Sequence, residues 1–222
     1  MARNTRQRII EAALRLFNER HFGNVTTAEL AADLGITEGN LWYHFKSKRA
    51  LLEAMTDLYL ERAGQRLAIL PGEGDVLDGY AGLLAALSAE VRDFRSIFRD
   101  RADYGEHTAR MIAAAPGIYE GTWHQFGQFF RALKRAGHLD MPDQWIDPLV
   151  INSVIIIRFS LEFFREMNAG EEEGQKQIDW GIVQHLASFG DMLHADARRY
   201  LLAKLGLEAA GATMLMPFTA KG

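Results

Sequence analysis

The stretch that most limits what this chain can fold into is Thr26 to Lys48, TTAELAADLGITEGNLWYHFKSK. It opens with a capping box. In Thr26-Thr27-Ala28-Glu29 the first hydroxyl is spaced to accept from the Glu29 backbone N–H, and the Glu29 carboxylate reaches back. The helix started there is expected to bury Leu30, Ala31 and Leu34, with Glu29 and Asp33 outside. Gly35 ends it, since only glycine takes the left-handed backbone conformation cheaply. Ile36 plugs the turn into the core, and Thr37 caps a second short helix, Glu38 to Phe45. Leu41 and Phe45 are four apart and define the inward face of that helix. Thr37, Glu38, Gly39, Asn40, Trp42, Tyr43 and His44 are left for its outer face and N-terminal end. Two short helices joined at a glycine turn make a helix-turn-helix, whose second helix lies in the major groove of DNA and turns such residues to bases and phosphates.

The residue types suit that task. Gly39 costs a helix roughly 1 kcal/mol relative to alanine, and fits a backbone that must approach a base edge. Tyr43 and His44 carry polar tips on rigid rings and are donors for phosphate oxygens. Lys46 and Lys48 flank Ser47, which caps the next helix. A helix N-terminus with nearby lysines is a phosphate site. The plain alternative for an aromatic cluster such as Trp42-Tyr43-His44-Phe45 is core packing.

The full string resembles the N-terminal module of the TetR family of transcriptional regulators. That module has a small residue, a Leu-Gly pair, then Gly-x-Leu-aromatic-x-His-Phe, with lysines shortly after. Here these are Ala31, Leu34-Gly35, Gly39-Asn40-Leu41-Trp42-Tyr43-His44-Phe45, Lys46, Lys48 and Leu51. The resemblance implies that Thr26, Thr27, Thr37, Gly39, Trp42, Tyr43, His44 and Lys48 contact DNA. Glu38, Asn40 and Lys46 join them from the outer face and the following turn. Two departures stand out. Trp42 takes a position where the family most often has tyrosine; its indole N–H donates but cannot accept. His21 takes the place of a glycine after the first helix, which alters the turn more than any DNA contact.

Size and composition set further bounds. A chain of 222 residues, 48% hydrophobic, is long enough for one large or two small cores. With no cysteine, disulfides and thiolate metal sites are excluded, which suits a reducing cytoplasm. MARNTRQRII is charged and lacks an apolar signal core. No run reaches the roughly 20 apolar residues of a membrane span; the longest, Leu149 to Leu161, is broken by Asn152, Ser153 and Arg158. A cytoplasmic protein without membrane contact is expected. The net charge is −4, but residues 1–49 hold eight Lys/Arg against five Asp/Glu, a local +3, which leaves −7 for the remainder. A basic head on an acidic body directs a polyanion to the head.

The apolar periodicity along the chain is helical throughout. Arg3, Arg6 and Arg8 form a basic arm leading into a stripe of Ile9, Ile10, Ala13, Leu14 and Phe17. Ser47 opens a helix to about Leu70 that links head and body, and Pro71-Gly72-Glu73-Gly74 ends it. Asp75 to Phe98 carries Val76, Tyr80, Leu83, Leu84, Leu87, Val91 and Phe94 in register. A charged helix, Arg99 to Ala115, is expected to stop before Pro116-Gly117, with Ile118 to Ala136 a separate helix. Trp145 to Met167 is apolar almost all round, as a helix covered on more than one side must be. Gln175 to Leu205 reads as one long helix, and residues 206–222 as an unpatterned tail. No stretch alternates with a period of two. The expected fold is all-α, with about nine helices: a three-helix DNA-binding domain at 1–50, a helical effector-binding and dimerisation domain at 51–205, and the tail. The resemblance implies a homodimer through helices 145–168 and 175–205 of each copy.

The body is rich in aromatics. Phe94, Phe98, Tyr104, Trp123, Phe126, Phe130, Phe159 and Phe163 are the candidate lining of a cavity for a bulky, largely apolar effector, with Tyr80 nearby in the pattern. Arg158, which interrupts the most apolar helix, is the leading polar anchor, followed by Arg95, Arg99, Arg101, His107 and His124. There is no glycine-rich phosphate loop, nucleophile elbow or HExxH, and the seven histidines are scattered. No catalytic residue, metal or cofactor is expected. The reading is a transcriptional regulator, a repressor released from a palindromic operator by a small ligand. The alternatives are an activator without ligand-induced release and a helical dimeric interaction protein that never reads DNA.

Overall fold

The computed structural model of the chain describes residues 5–72, 74–100, 109–167 and 175–213. Arg3, Arg101, Tyr104, His107, Glu171 to Glu173 and the end of the tail lie outside those residues. The described residues form ten α-helices: α1 Thr5–Arg20, α2 Thr27–Leu34, α3 Glu38–His44, α4 Lys48–Leu67, α5 Val76–Arg99, α6 Ala109–Arg135, α7 Ile146–Met167, α8 Gln175–Ala187, α9 Ala195–Lys204 and α10 Glu208–Thr213. The all-α expectation holds; the one β-type pairing among them is an isolated bridge between Leu139 and Leu193. The chain divides into two compact units, residues 1–64 with 93–116, and residues 65–92 with 117–222. No helix among the described residues is long and apolar enough to cross a membrane.

The first unit is built on the α1 stripe. Ile9, Ile10, Ala13, Leu14 and Phe17 are buried, as are Leu30 and Ala31 from α2, Leu41 and Phe45 from α3 and its end, and Leu51, Leu52 and Met55 from α4. Phe22 sets its ring edge-on to Phe17, with centroids 5.2 Å apart. Further along α4, Tyr59 meets Phe94 and Phe98 edge-on at 5.4 and 5.2 Å. Phe94 has non-helical backbone angles (φ −117°, ψ 18°), so α5 is kinked there.

The second unit has a larger aromatic core. Tyr80, Phe126, Phe129, Phe130 and Phe189 are all fully buried. A buried polar cluster ends α4: Arg66 Nε donates to Glu90 at 2.8 Å and its Nη1 to Gln125 Oε1 at 2.9 Å. Gln125 Nε2 in turn donates to the Arg66 and Ile69 carbonyls at 2.7 and 2.6 Å, satisfying groups the helix end leaves open. Between α7 and α8, a Cβ added at Gly181 would lie 2.1 Å from the Ser160 hydroxyl, so only glycine lets these helices approach this closely.

Three sequence expectations are corrected. Pro116 does not end a helix; α6 runs through it from Ala109 to Arg135. Proline removes one N–H and leaves the carbonyl of Ile112 without its partner. Both Ile112 and Pro116 are exposed, so the lost bond lies on the solvent side of the helix rather than in the core. The expected helix Gln175–Leu205 is two helices, α8 and α9, separated at a turn through Gly190 (φ 53°). Its apolar stripe is real, but Leu193 leaves helical geometry (φ −85°, ψ 119°) to pair with Leu139, fixed by Asp140 N–H to the Met192 carbonyl and His194 N–H to the His138 carbonyl. Residues 208–213 form α10, and Leu207 just before it is buried in the core.

One core pair was invisible to local pattern, being 105 residues apart: Tyr80 Oη and His185 Nε2 lie 2.6 Å from each other. The other ring nitrogen of His185 has no hydrogen-bond partner among the described residues. Burial lowers the His185 pKa from 6.5 to about 3, so the folded state keeps the ring neutral. Between those values the unfolded chain binds a proton that the folded chain does not, and stability falls as pH falls. Urea unfolding between about pH 7 and pH 5, above the carboxylate range, is expected to show that loss. His185→Gln, which keeps an acceptor for Tyr80, is expected to flatten the slope; equal slopes for both proteins would show that the ring is not the cause.

Candidate nucleic-acid interface

The helix-turn-helix is assembled by its caps. Thr26 accepts from the Glu29 N–H at 3.2 Å, and Glu29 Oε2 accepts from the Thr26 N–H at 2.8 Å, completing the capping box. Gly35 takes the left-handed conformation (φ 66°, ψ 31°). The Ile36 N–H then reaches the Ala31 carbonyl at 3.0 Å, closing the α2 end. Thr37 caps α3 by accepting from the Asn40 N–H at 3.1 Å. Ser47 accepts from the Ala50 N–H at 3.1 Å and starts α4. Each cap was expected from the residue types, and each is present.

The caps and the core fix which face of α3 looks outward. Leu41 and Phe45 point in; Glu38, Gly39, Asn40 and Tyr43 are exposed, and Trp42 and His44 are half-buried. Tyr43 is 75% exposed, its ring edge-on to His44 at 5.2 Å. Lys46, exposed on the next turn, holds its ammonium 6.0 Å from the Tyr43 ring centroid. Thr26 is exposed and Thr27 half-buried at the start of α2, where the Thr27 hydroxyl donates to Glu38 Oε1 at 3.0 Å. The surface so formed is a short helix with hydroxyl, amide, imidazole, carboxylate and ammonium groups on its free side.

Lys48 departs from expectation. Its Nζ donates to the Phe22 and Val25 carbonyls at 2.6 and 2.7 Å, and sits 3.9 Å from the Phe22 ring centroid. Burial lowers its pKa, partly offset by the nearby Glu29. The ammonium that was expected at a DNA phosphate is drawn inward to hold the segment between α1 and α2. Arg15 pairs with Asp33 and Glu19, and Arg20 with Glu29, so these cations brace α1 against α2.

A second cluster was missed by the sequence reading. His21 has φ 67° and ψ 148°, the one positive φ outside glycine among the described residues. Such angles cost a residue with a Cβ. The side chain is retained for a reason: His21 Nδ1 lies 2.9 Å from Asp100 Oδ1. Asp100, buried, also accepts from the Phe22 N–H at 2.8 Å and from Arg99 Nε at 2.7 Å. Burial pushes the Asp100 carboxyl up, but Arg99, Phe22 and His21 together hold it below its ordinary value. Arg99 Nη2 donates to the Phe17 carbonyl at 2.7 Å, and Asn18 exchanges hydrogen bonds with the Ser96 N–H and Asp93 carbonyl, both at 2.9 Å. The end of α1 is thereby stitched to the last turns of α5. The signal available in the sequence was His21 itself, standing where glycine was expected.

Residues 9–55 match the family model described as bacterial regulatory proteins, tetR family, and residues 58–201 the model described as bacterial transcriptional repressor. The chain belongs to the TetR family. The tetracycline repressor class D of Escherichia coli is 47% identical over 62 residues, 28% of this chain and 28% of its own length. A TetR-family regulator from Marinobacter aquaeolei VT8 superposes with a TM-score of 0.74 at 23% identity, over 92% of this chain and 98% of that one. AibR, solved with isovaleryl coenzyme A and operator DNA, has a TM-score of 0.52 at 17% identity, over 86% of this chain and 98% of its own. These likenesses at low identity show the TetR fold.

In this TetR-family chain the candidate effector residues separate into sets. Phe94 is buried and Phe98 half-buried against Tyr59 in the first unit. Phe126 and Phe130 are buried around Tyr80, His185 and Phe189 in the second, and Trp123 is half-buried beside His124. Phe159 and Phe163 are exposed, 52% and 53%, along α7, with the half-buried Arg158 guanidinium over the Phe159 ring at 5.2 Å. Tyr104 is outside the described residues.

The inward turn of Lys48 gives a direct test. Lys48→Met leaves two carbonyls without their charged donor and is expected to lower unfolding stability by about 2 kcal/mol. Lys46→Met, at an exposed site, is expected to leave stability unchanged. Equal stabilities in urea would mean that Lys48 does not hold the segment after α1.

Proposed function

We propose that this protein is a DNA-binding transcriptional regulator that acts as a homodimer, and that a small, largely apolar ligand releases it from a palindromic operator, making it a repressor. The observation that carries the DNA reading is α3: seven residues long, capped by Thr37, anchored inward by Leu41, and free along Glu38, Gly39, Asn40 and Tyr43. A helix presented this way fits the major groove. Thr26, Thr27, Thr37, Trp42, His44 and Lys46 surround it as further contacts to bases and backbone. The Lys48 backbone N–H, at the start of α4, remains suited to a phosphate even though its side chain is engaged.

Pairing of two copies is supported by α7. Ile151, Ile155, Phe159, Phe163 and Met167 follow one another at four-residue steps and are exposed by 37–53%. Beside them a groove of about 430 Å³ is lined by Ile155, Ile156, Phe159, Ser160, Phe163, Phe164 and Gln184. A continuous apolar stripe of this kind is costly in water and marks an interface. The opposite face of the same helix buries Leu149, Val150, Ile157, Leu161 and Phe164, which accounts for its all-round apolar sequence. The pairing segment expected over 175–205 narrows here to α8, since α9 is a separate helix.

For the effector, the aromatic set around Phe126 and Phe130, packed as core in the second unit, is the seat proposed for a bulky apolar compound. AibR, which shares the fold, was solved with both a small molecule and operator DNA, and the reading extends that pairing to this chain. A 100-fold loss of operator affinity on ligand binding needs about 2.7 kcal/mol of coupling, within the usual allosteric range, with α4 as the element joining the two functions.

Selection of bound fragments from random duplex DNA at low salt is expected to enrich one palindromic sequence. Tyr43→Ala is expected to weaken binding to it by tenfold or more with the dimer mass unchanged. Phe159→Asp is expected to give a folded monomer by light scattering. Failure of the wild type to enrich any sequence would remove the DNA reading, and a dimeric Phe159→Asp variant would remove the proposed pairing face.

A further inference from the structure

The first turn of α3 carries a carboxylate, Glu38, on the face turned outward. Facing a polyanion, an uncompensated negative charge is unfavourable, and among the described residues Glu38 has no ion pair to neutralise it. Its one hydrogen bond among the described residues is from the Thr27 hydroxyl, donated to Oε1 at 3.0 Å. Thr27 is itself the first residue of α2, fixed next to the capping box of Thr26 and Glu29. The carboxylate is therefore aimed by a neighbouring helix rather than swinging freely, and most of its acceptor sites, all of Oε2 included, remain open.

We infer that Glu38 reads a cytosine in each operator half-site, by accepting a hydrogen bond from its exocyclic amino group. This rests on the proposal that α3 lies in the major groove. A carboxylate can only accept, and the major groove offers donors at two places, the cytosine N4 amino group and the adenine N6 amino group. Adenine N6 is flanked by the N7 acceptor of its own ring and the O4 acceptor of thymine, both of which repel an anion. Cytosine N4 has only a C–H on its ring side and the guanine O6 across the pair. The cytosine edge is the one where an acceptor-only group meets the least opposition. Guanine and thymine present no donor at all and are rejected. Glu38 thus acts as a specificity residue twice over: it rewards one base, and its charge weakens binding wherever that base is missing.

The experiment is selection from random duplex DNA with the full-length wild type, Glu38→Ala, Glu38→Gln and Thr27→Val, followed by affinities for the best sequence and for an unrelated duplex. Wild type is expected to show a dominant cytosine at one position of each half-site. Glu38→Ala is expected to lose that preference, bind the best operator about tenfold more weakly, and bind unrelated DNA as well as or better than wild type. Glu38→Gln, whose amide both donates and accepts, is expected to move the preference toward adenine. Thr27→Val is expected to blur the cytosine preference in part. If wild type enriches no sequence, the helix-turn-helix reading itself fails, and this inference with it. If wild type enriches a sequence but Glu38→Ala and Glu38→Gln return the same preferences, or Glu38→Ala weakens binding to all duplexes equally, Glu38 reads no base and the inference alone is overturned.

Discussion

A helix of seven residues has no stability of its own in water, because nucleation fixes several residues before any hydrogen bond repays it. Everything about α3 follows from this. It exists because Thr37 caps its first turn, because Leu41 and Phe45 are held in the core built on Ile9, Ile10, Leu14 and Phe17, and because Gly35 lets α2 stop abruptly enough to set the angle between the two. The outward residues contribute little to that stability and are thereby free to be chosen for what they touch. The same division explains the odd composition of the helix: a glycine, an acid and three aromatic or imidazole rings within seven residues would be a poor helix anywhere it had to hold itself together.

The head also leans on charged groups that are half-buried, as Lys48 is, or buried, as Asp100 is. Lys48 and Asp100 are of opposite charge and have parallel tasks, since each takes up backbone groups of the segment between α1 and α2 that no helix satisfies: the Phe22 and Val25 carbonyls for the lysine, the Phe22 N–H for the aspartate. Arg99 extends the arrangement to the carbonyls at the end of α1. An irregular segment is thus held in one conformation, including the strained backbone at His21, by charged side chains whose own burial would be unfavourable without those partners. In the second unit Arg66, Glu90 and Gln125 do the same for the end of α4.

How much of this was legible beforehand depends on distance along the chain. The caps at Thr26, Gly35, Thr37 and Ser47, the stripe of α1 and the inward pair of α3 are all relations between residues within a few positions, and all were readable. The inward direction of the Lys48 ammonium was not legible, because residue type suggests a phosphate ligand whereas its partners here are carbonyls more than 20 residues earlier. Pro116 was read as a stop because proline is usually one; here the lost hydrogen bond faces water. The helix expected over Gln175–Leu205 was broken by a strand-like contact with Leu139, a partner that periodicity cannot reveal. Of the aromatic residues grouped as one lining, each was correctly seen as apolar, but their assignment to separate sets around Tyr59, around His185 and along the open face of α7 needed three dimensions.

The sequence by itself determined that the chain is helical, where the helices of the helix-turn-helix are capped, which residues of α3 turn outward, and the family to which it belongs. These follow from local hydrogen bonds and from the period of the helix, both of which act over one or two turns. The tertiary structure alone decided which charges are spent inside the protein, which apolar residues of α7 are left uncovered, and that His185 is held neutral against Tyr80. Those outcomes depend on burial and on partners far away in the chain, and the free energy of a buried charge or an exposed ring is fixed by what surrounds it rather than by what precedes it.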